Sequence, residues 1–217
     1  MIDEAERPLR ELILAYAPAN GRAGLSALLA LDDTLARLMR TTHEPALGQL
    51  RLAWWRDSLP RLDTAPAPAE PVLQGLEAHI LSRGVSGASL VPIVHGWEVL
   101  VEEERLHSDA LKRFAEGRGV LFVAAGAAIG AQTDDPLDLA GRGWALADLA
   151  NNLSNPEEAA EVRAEARPIL ADALKRRWSP GARALGAMAH ISLMDMDEGR
   201  RPIRRLGRLL WHRLSGR

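Results

Sequence analysis

Two groups of residues have the types and spacing to do chemistry. The first is Asp32-Asp33, adjacent carboxylates in an apolar stretch, with Arg37 and Arg40 about one and two turns further on. Such a pair can supply half of a divalent-metal site, or it can answer the two arginines at helical spacing. The second is Asp148, Asn151, Asn152 and Asn155, whose register places them on one polar stripe of a helix. Buried, that stripe needs mutual hydrogen bonds. Alternatively it is the C-terminal end of a helix, with Asn favoured at the cap and Pro156 following. Both readings stay open at this point.

Other chemistries are set aside by composition. There is no cysteine, so disulfides, thiolate metal sites and cysteine nucleophiles are excluded. The six histidines, His43, His79, His95, His107, His190 and His212, include no i,i+4 pair of the zinc-helix kind. No G-x-S-x-G elbow is present. Trp54-Trp55 lies between Arg51 and Arg56, but neighbouring helix residues point ~100° apart and cannot form one stacking platform. At least one of the two tryptophans is expected in the core, and nucleic acid is not an expected partner. No metal and no cofactor are expected.

The elements that must position these residues are helices. Ala, Leu, Arg and Glu dominate the 217 residues, while aromatics make up only 4%. The spacing predicts helices near the N-terminus from Pro8, over about Ala23 to Arg40, and from a cap at Thr42 or His43 through Leu59. After the Pro/Ala loop Thr64 to Pro71, it predicts helices around Val72–Leu81 and Ser89–Glu104, then a long one capped by Ser108. Leu137 to Leu153 follows. Two helices are expected over Glu157–Arg177, with Pro168 as a kink or break, and another begins after Ser179-Pro180-Gly181. The expected fold is all-α, a single-domain bundle of eight or nine helices over residues 1–198.

The start, Met1-Ile2-Asp3-Glu4, is expected to be neither a secretory signal nor a transit peptide. Gly119 to Ala131, the longest apolar run, falls short of the ~20 residues of a spanning helix and is expected to be buried. Gly199 to Arg217 holds seven arginines and no acid, so the remainder carries −9 against −2 for the whole chain. Within this tail Ile203, Leu206, Leu209, Leu210 and Leu214 form an apolar stripe with Trp211 beside it. A basic amphipathic tail over residues 199–217, with Arg204, Arg205, Arg208 and Trp211 at the contact, fits an anionic membrane surface. It also fits a last bundle helix, or a tail paired with the acidic body. The expected location is cytoplasmic, peripheral on the inner face of the membrane.

Ala27 to Leu59 resembles the first conserved block of squalene/phytoene synthase-like proteins, most specifically in Leu50 to Leu59, LRLAWWRDSL. Gly143 to Asn155, GWALADLANNLSN, resembles a second block of that family. The resemblance implies an isoprenoid synthase type of bundle, in which two acidic motifs hold Mg²⁺ and a diphosphate in a central cavity. Here the positions one turn beyond Asp32-Asp33 are Ala36 and Arg37. Where the family has Arg-Asp stand Ser154-Asn155, and Ala159 lies four positions on. Glu157 and Glu158 are close by at altered spacing.

Leu31 to Arg56 is more similar to a non-catalytic-looking branch that includes a mitochondrial respiratory complex I assembly factor, with Gly48, Arg51, Trp54, Trp55 and Arg56 as the signature. The resemblance thus implies a remnant pocket around Asp32, Asp33, Arg37, Arg40, Asp148, Asn151, Asn152 and Asn155. The function it implies is a non-catalytic isoprenoid-binding protein or membrane-complex assembly factor, whose partner is an isoprenoid lipid or a membrane protein complex. The alternative is an active prenyl-diphosphate transferase, which would need Mg²⁺. Four or more acidic side chains converging on one hollow, with Glu157 or Glu158 among them, would overturn the non-catalytic expectation.

Overall fold

A computed structural model describes residues 7–42, 44–197 and 202–217. Among them are ten α-helices and no strand: α1 (Arg7–Tyr16), α2 (Arg22–Thr41), α3 (Pro45–Arg61), α4 (Pro71–His79), α5 (Val91–Glu102), α6 (Ser108–Ile129), α7 (Leu137–Asn152), α8 (Pro156–Ala173), α9 (Arg183–Asp197) and α10 (Pro202–Ser215). The chain is an all-α, single-domain bundle. Two short 3₁₀ turns, Leu81–Arg83 and Ala88–Leu90, lead from α4 into α5. Among the described residues no single helix is long and apolar enough to cross a membrane.

The Gly/Ala-rich sequence of α6 puts it at the centre, packed between α5 and α7, while α7 in turn packs on α8 and α9. α2 lies against α6 on another side, and its Leu25, Leu28, Leu31 and Leu35 are fully buried at helical spacing. Phe114, Phe122 and Trp178 are the largest wholly buried side chains.

Local signals explain most boundaries. Glu70 caps α4 by accepting from the Leu73 N–H at 2.8 Å, with Pro71 in the first turn. Asn155 caps α8, its Oδ1 accepting from the N–H groups of Glu157 and Glu158. Asp135 is buried in the α6–α7 turn, where it accepts from the Ser179 N–H and hydroxyl and ties that turn to the approach to α9.

Three boundary expectations are corrected. The residue before α3 is Glu44, not Thr42, which instead closes α2; His43 lies outside the described residues. His107, extended, precedes α6, and Ser108 is already its first residue. α8 runs unbroken through Pro168, because its buried face of Val162, Ala166, Leu170 and Ala173 continues across the proline. The packing outweighs the one helix hydrogen bond that proline cannot donate.

Candidate functional site

Arg118 of α6 lies at the centre of the candidate site. Its guanidinium donates from Nε and Nη2 to the two carboxylate oxygens of Asp32 on α2, at 2.9 and 2.7 Å. Nη1 donates to Asp148 on α7 at 2.6 Å. Arg118 and Asp32 are both buried, and the Trp97 indole N–H adds a fourth bond, to Asp32, at 3.0 Å. The guanidinium carbon lies 4.5 Å from the Trp97 ring centre and 4.3 Å from that of Trp144, within cation–π range. Burial by itself lowers the guanidinium's pKa, but the charges and hydrogen bonds of Asp32 and Asp148 outweigh it and raise the pKa above its ordinary value. The cation is therefore permanent.

Glycines on either side of Arg118 make this geometry attainable. A Cβ on Gly117 would lie 2.7 Å from the Gly96 nitrogen of α5, and one on Gly119 would lie 2.9 Å from the Arg142 nitrogen of α7. The backbones of α5 and α7 thus touch α6 at the two positions flanking the arginine. That contact brings Trp97 and Asp148 within reach of one side chain.

A hollow of about 320 Å³ opens beside this network, with Arg118 and Asp148 in its wall. Met39, Leu100, Leu106, Phe114, Leu149 and Leu153 supply its apolar lining, and Arg40 and Asn152 add polar groups. Four acidic residues also line it: Glu103, Glu104, Asp148 and Glu158. They do not converge. Glu103 pairs with Arg113, Asp148 pairs with Arg118, and no three acidic or histidine side chains among the described residues are grouped to hold a metal ion. A second hollow of about 460 Å³ shares Asp148 and Asn152 and continues past Asn151 towards Ile191 and Ser192.

The residues singled out from sequence divide accordingly. Asp32 and Asp148 meet, through Arg118. Neither Asp32 nor Asp33 pairs with Arg37 or Arg40, which corrects the helical-spacing expectation. Asp33 is instead paired with Arg10 of α1, and burial, only partly offset by Arg10, raises its pKa. Arg37 donates to the Thr34 hydroxyl, while Arg40 lines the first hollow. Of the Asn stripe, Asn151 and Asn152 face hollows and Asn155 is a helix cap. The C-terminal helix-end expectation is corrected: Leu153 closes α7, and Asn155 caps the start of α8 instead.

In the signature segment Gly48 and Trp55 are buried, Trp54 is exposed, Arg56 bonds Glu98 at 2.9 Å and Arg51 donates to the Thr42 hydroxyl. In the tail, α10 packs on α9: Leu209 and His212 are buried, and Arg208 donates to His190 at 3.4 Å. Trp211 is exposed. The side chains of Arg204 and Arg205 lie outside the described residues.

Sequence reasoning missed Arg118, Trp97 and Trp144. One signal was present: a lone arginine between two glycines, Gly117-Arg118-Gly119, at the edge of a long apolar run. Such a charge can be buried only with a partner. Comparison with protein-family models, with curated proteins and with solved structures finds no match.

Proposed function

We propose that this protein is a non-catalytic, squalene/phytoene synthase-like protein that holds an isoprenoid chain or serves the assembly of a membrane complex. One observation carries the reading: a permanent cation, Arg118, engages Asp32, a carboxylate of the incomplete first Mg²⁺ motif, together with Asp148 of the remnant pocket. Freeing them for a metal would leave a buried guanidinium unpaired, which is strongly unfavourable.

The first hollow then suits an uncharged or weakly polar apolar chain. Its acidic residues outnumber its arginines, which disfavours an anionic diphosphate. The competing reading, an active prenyl-diphosphate transferase, rests on the retained family-like blocks and on Asp32-Asp33, whose carboxylates are paired with Arg118 and Arg10.

The test is calorimetric titration with farnesol and with farnesyl diphosphate, each with and without Mg²⁺, alongside an assay for coupled product. The expected result is binding of farnesol, no gain in diphosphate affinity from Mg²⁺, and weaker farnesol binding by Leu106→Trp, which fills the hollow. Product formed from farnesyl diphosphate with Mg²⁺ overturns the non-catalytic reading. Failure of farnesol to bind overturns the isoprenoid-holding one.

A further inference from the structure

The strongest unexplained feature outside the hollows is the outer face of α3. Leu47, Leu50 and Trp54 are all exposed, Leu50 to 68%. Together with Arg51 they fall within a helical arc about 100° wide. Beside them runs a groove of about 310 Å³ between α2 and α3, walled by Trp54, Thr41, Arg37 and Arg51. Both arginines are held by hydroxyls, of Thr34 and Thr42, and no carboxylate among the described residues lines the groove. Trp54 is braced edge-on against the buried Trp55, with ring centres 5.0 Å apart.

We propose that this face docks on a membrane, with Leu47, Leu50 and Trp54 entering the interface while Arg37 and Arg51 receive the phosphate of an anionic lipid headgroup. Paired guanidiniums suit phosphate oxygens, and tryptophan with aliphatic neighbours suits the headgroup boundary. A second patch argues for a bilayer over a protein partner. α10 exposes Leu210, Trp211 and Leu214, with Arg208 and Arg213 also exposed.

Among the described residues seven large hydrophobic side chains are exposed, and six of them belong to these two patches. The patches share no sequence pattern, only a composition of two leucines, one tryptophan and exposed arginine. A lipid surface reads composition; a protein partner reads shape. The groove is separate from the Arg118 hollow, so this proposal and the proposed function fail independently.

The test is co-sedimentation of the full chain with vesicles containing phosphatidylglycerol and with vesicles of phosphatidylcholine alone, over a range of salt. The expected result is binding to the anionic vesicles, weakened by salt, with Arg37→Gln/Arg51→Gln costing about fivefold per arginine. Leu50→Gln/Trp54→Gln weakens binding as well, whereas Lys175→Gln/Arg176→Gln, which removes as much charge elsewhere, does not. All these side chains are exposed or partly exposed, and unchanged thermal midpoints establish that the variants fold. Groove variants that bind like the parent overturn the proposal, as does equal binding to neutral vesicles. Absence of vesicle binding also overturns it and leaves the groove to a protein partner. Self-association lost on Leu50→Gln overturns it in favour of an interface between copies of this chain.

Discussion

Arg118 holds Asp32 with two nitrogens, at 2.9 and 2.7 Å, across 86 positions of chain. The pair is buried on both sides, so it stabilises the bundle only while both members are present. Arg118→Met, which leaves Asp32 buried without its cation, is expected to cost about 3–5 kcal/mol. Replacing Asp32 and Arg118 together by apolar residues of similar volume should recover most of that loss. Urea denaturation of the single and double variants reads both effects; a single variant as stable as the parent removes the network from any structural role.

Mg²⁺ should not act on this fold. A ligand that binds only the native state raises the unfolding midpoint, so millimolar Mg²⁺, alone or with pyrophosphate, is expected to leave the midpoint unchanged. A rise of several degrees, lost in Asp32→Asn, would place a metal where Arg118 now lies.

The seam between α9 and α10 is sensitive to acid. His190 and His212 stand with ring centres 4.8 Å apart. Burial, together with the neighbouring charges of Arg208 and, for His212, Arg183, lowers their pKa values to about 3 and about 4. The unfolded chain takes up these protons near pH 6.5 and the folded one does not. Their contribution is therefore intact above pH 6.5 and is lost as pH falls from there towards 4. Urea midpoints should decline over that window, and less steeply in His190→Phe. A profile identical in the variant would assign the decline to carboxylates.

Removing the tail is a poor probe of what its surface does. Leu209 and His212 are buried, and the Gly216 carbonyl accepts from the Trp178 N–H at 2.7 Å. Deleting residues 202–217 is expected to destabilise the body by several kcal/mol through lost burial alone. Trp211→Gln with Leu214→Gln, the latter at a position 78% exposed, should leave stability within about 0.5 kcal/mol while lowering affinity for anionic vesicles. Unchanged vesicle binding in that variant would confine membrane contact to other surfaces.

The close approach of α6 and α7 is the mechanical basis of the site. A Cβ on Gly141 would run into the Gly119 carbonyl. Gly141→Ala should therefore cost about 1–3 kcal/mol through overpacking and push Asp148 away from Arg118. Altered near-ultraviolet circular dichroism from Trp97 and Trp144 would accompany the loss; an unperturbed spectrum at parental stability would show the contact to be loose.

Much of the fold was legible in the chain because helices are local. The leucine spacing of α2, the Pro/Ala loop before α4, the break at Ser154-Asn155-Pro156 after α7 and the amphipathic pattern of α10 all depend on residues within a few positions of one another. The misread boundaries also have local causes with distant winners: the unbroken α8 is held by packing on α7 that no window around Pro168 contains.

Partner choice was not legible. From sequence, the cation nearest to Asp32 was Arg37, which lies four positions beyond Asp33 at the spacing that favours local pairs on a helix. Asp32 is buried against Arg118 instead, because glycines at 96, 117, 119 and 141 let three helices meet at backbone distance around that one side chain. An isolated helix leaves Asp32 in water, where a nearby arginine is worth a few tenths of a kcal/mol. Only the assembled bundle excludes that water, and in its absence the distant cation outweighs the near ones. The chain by itself determined that carboxylates and arginines would be present on helices; the tertiary structure decided which of them cancel.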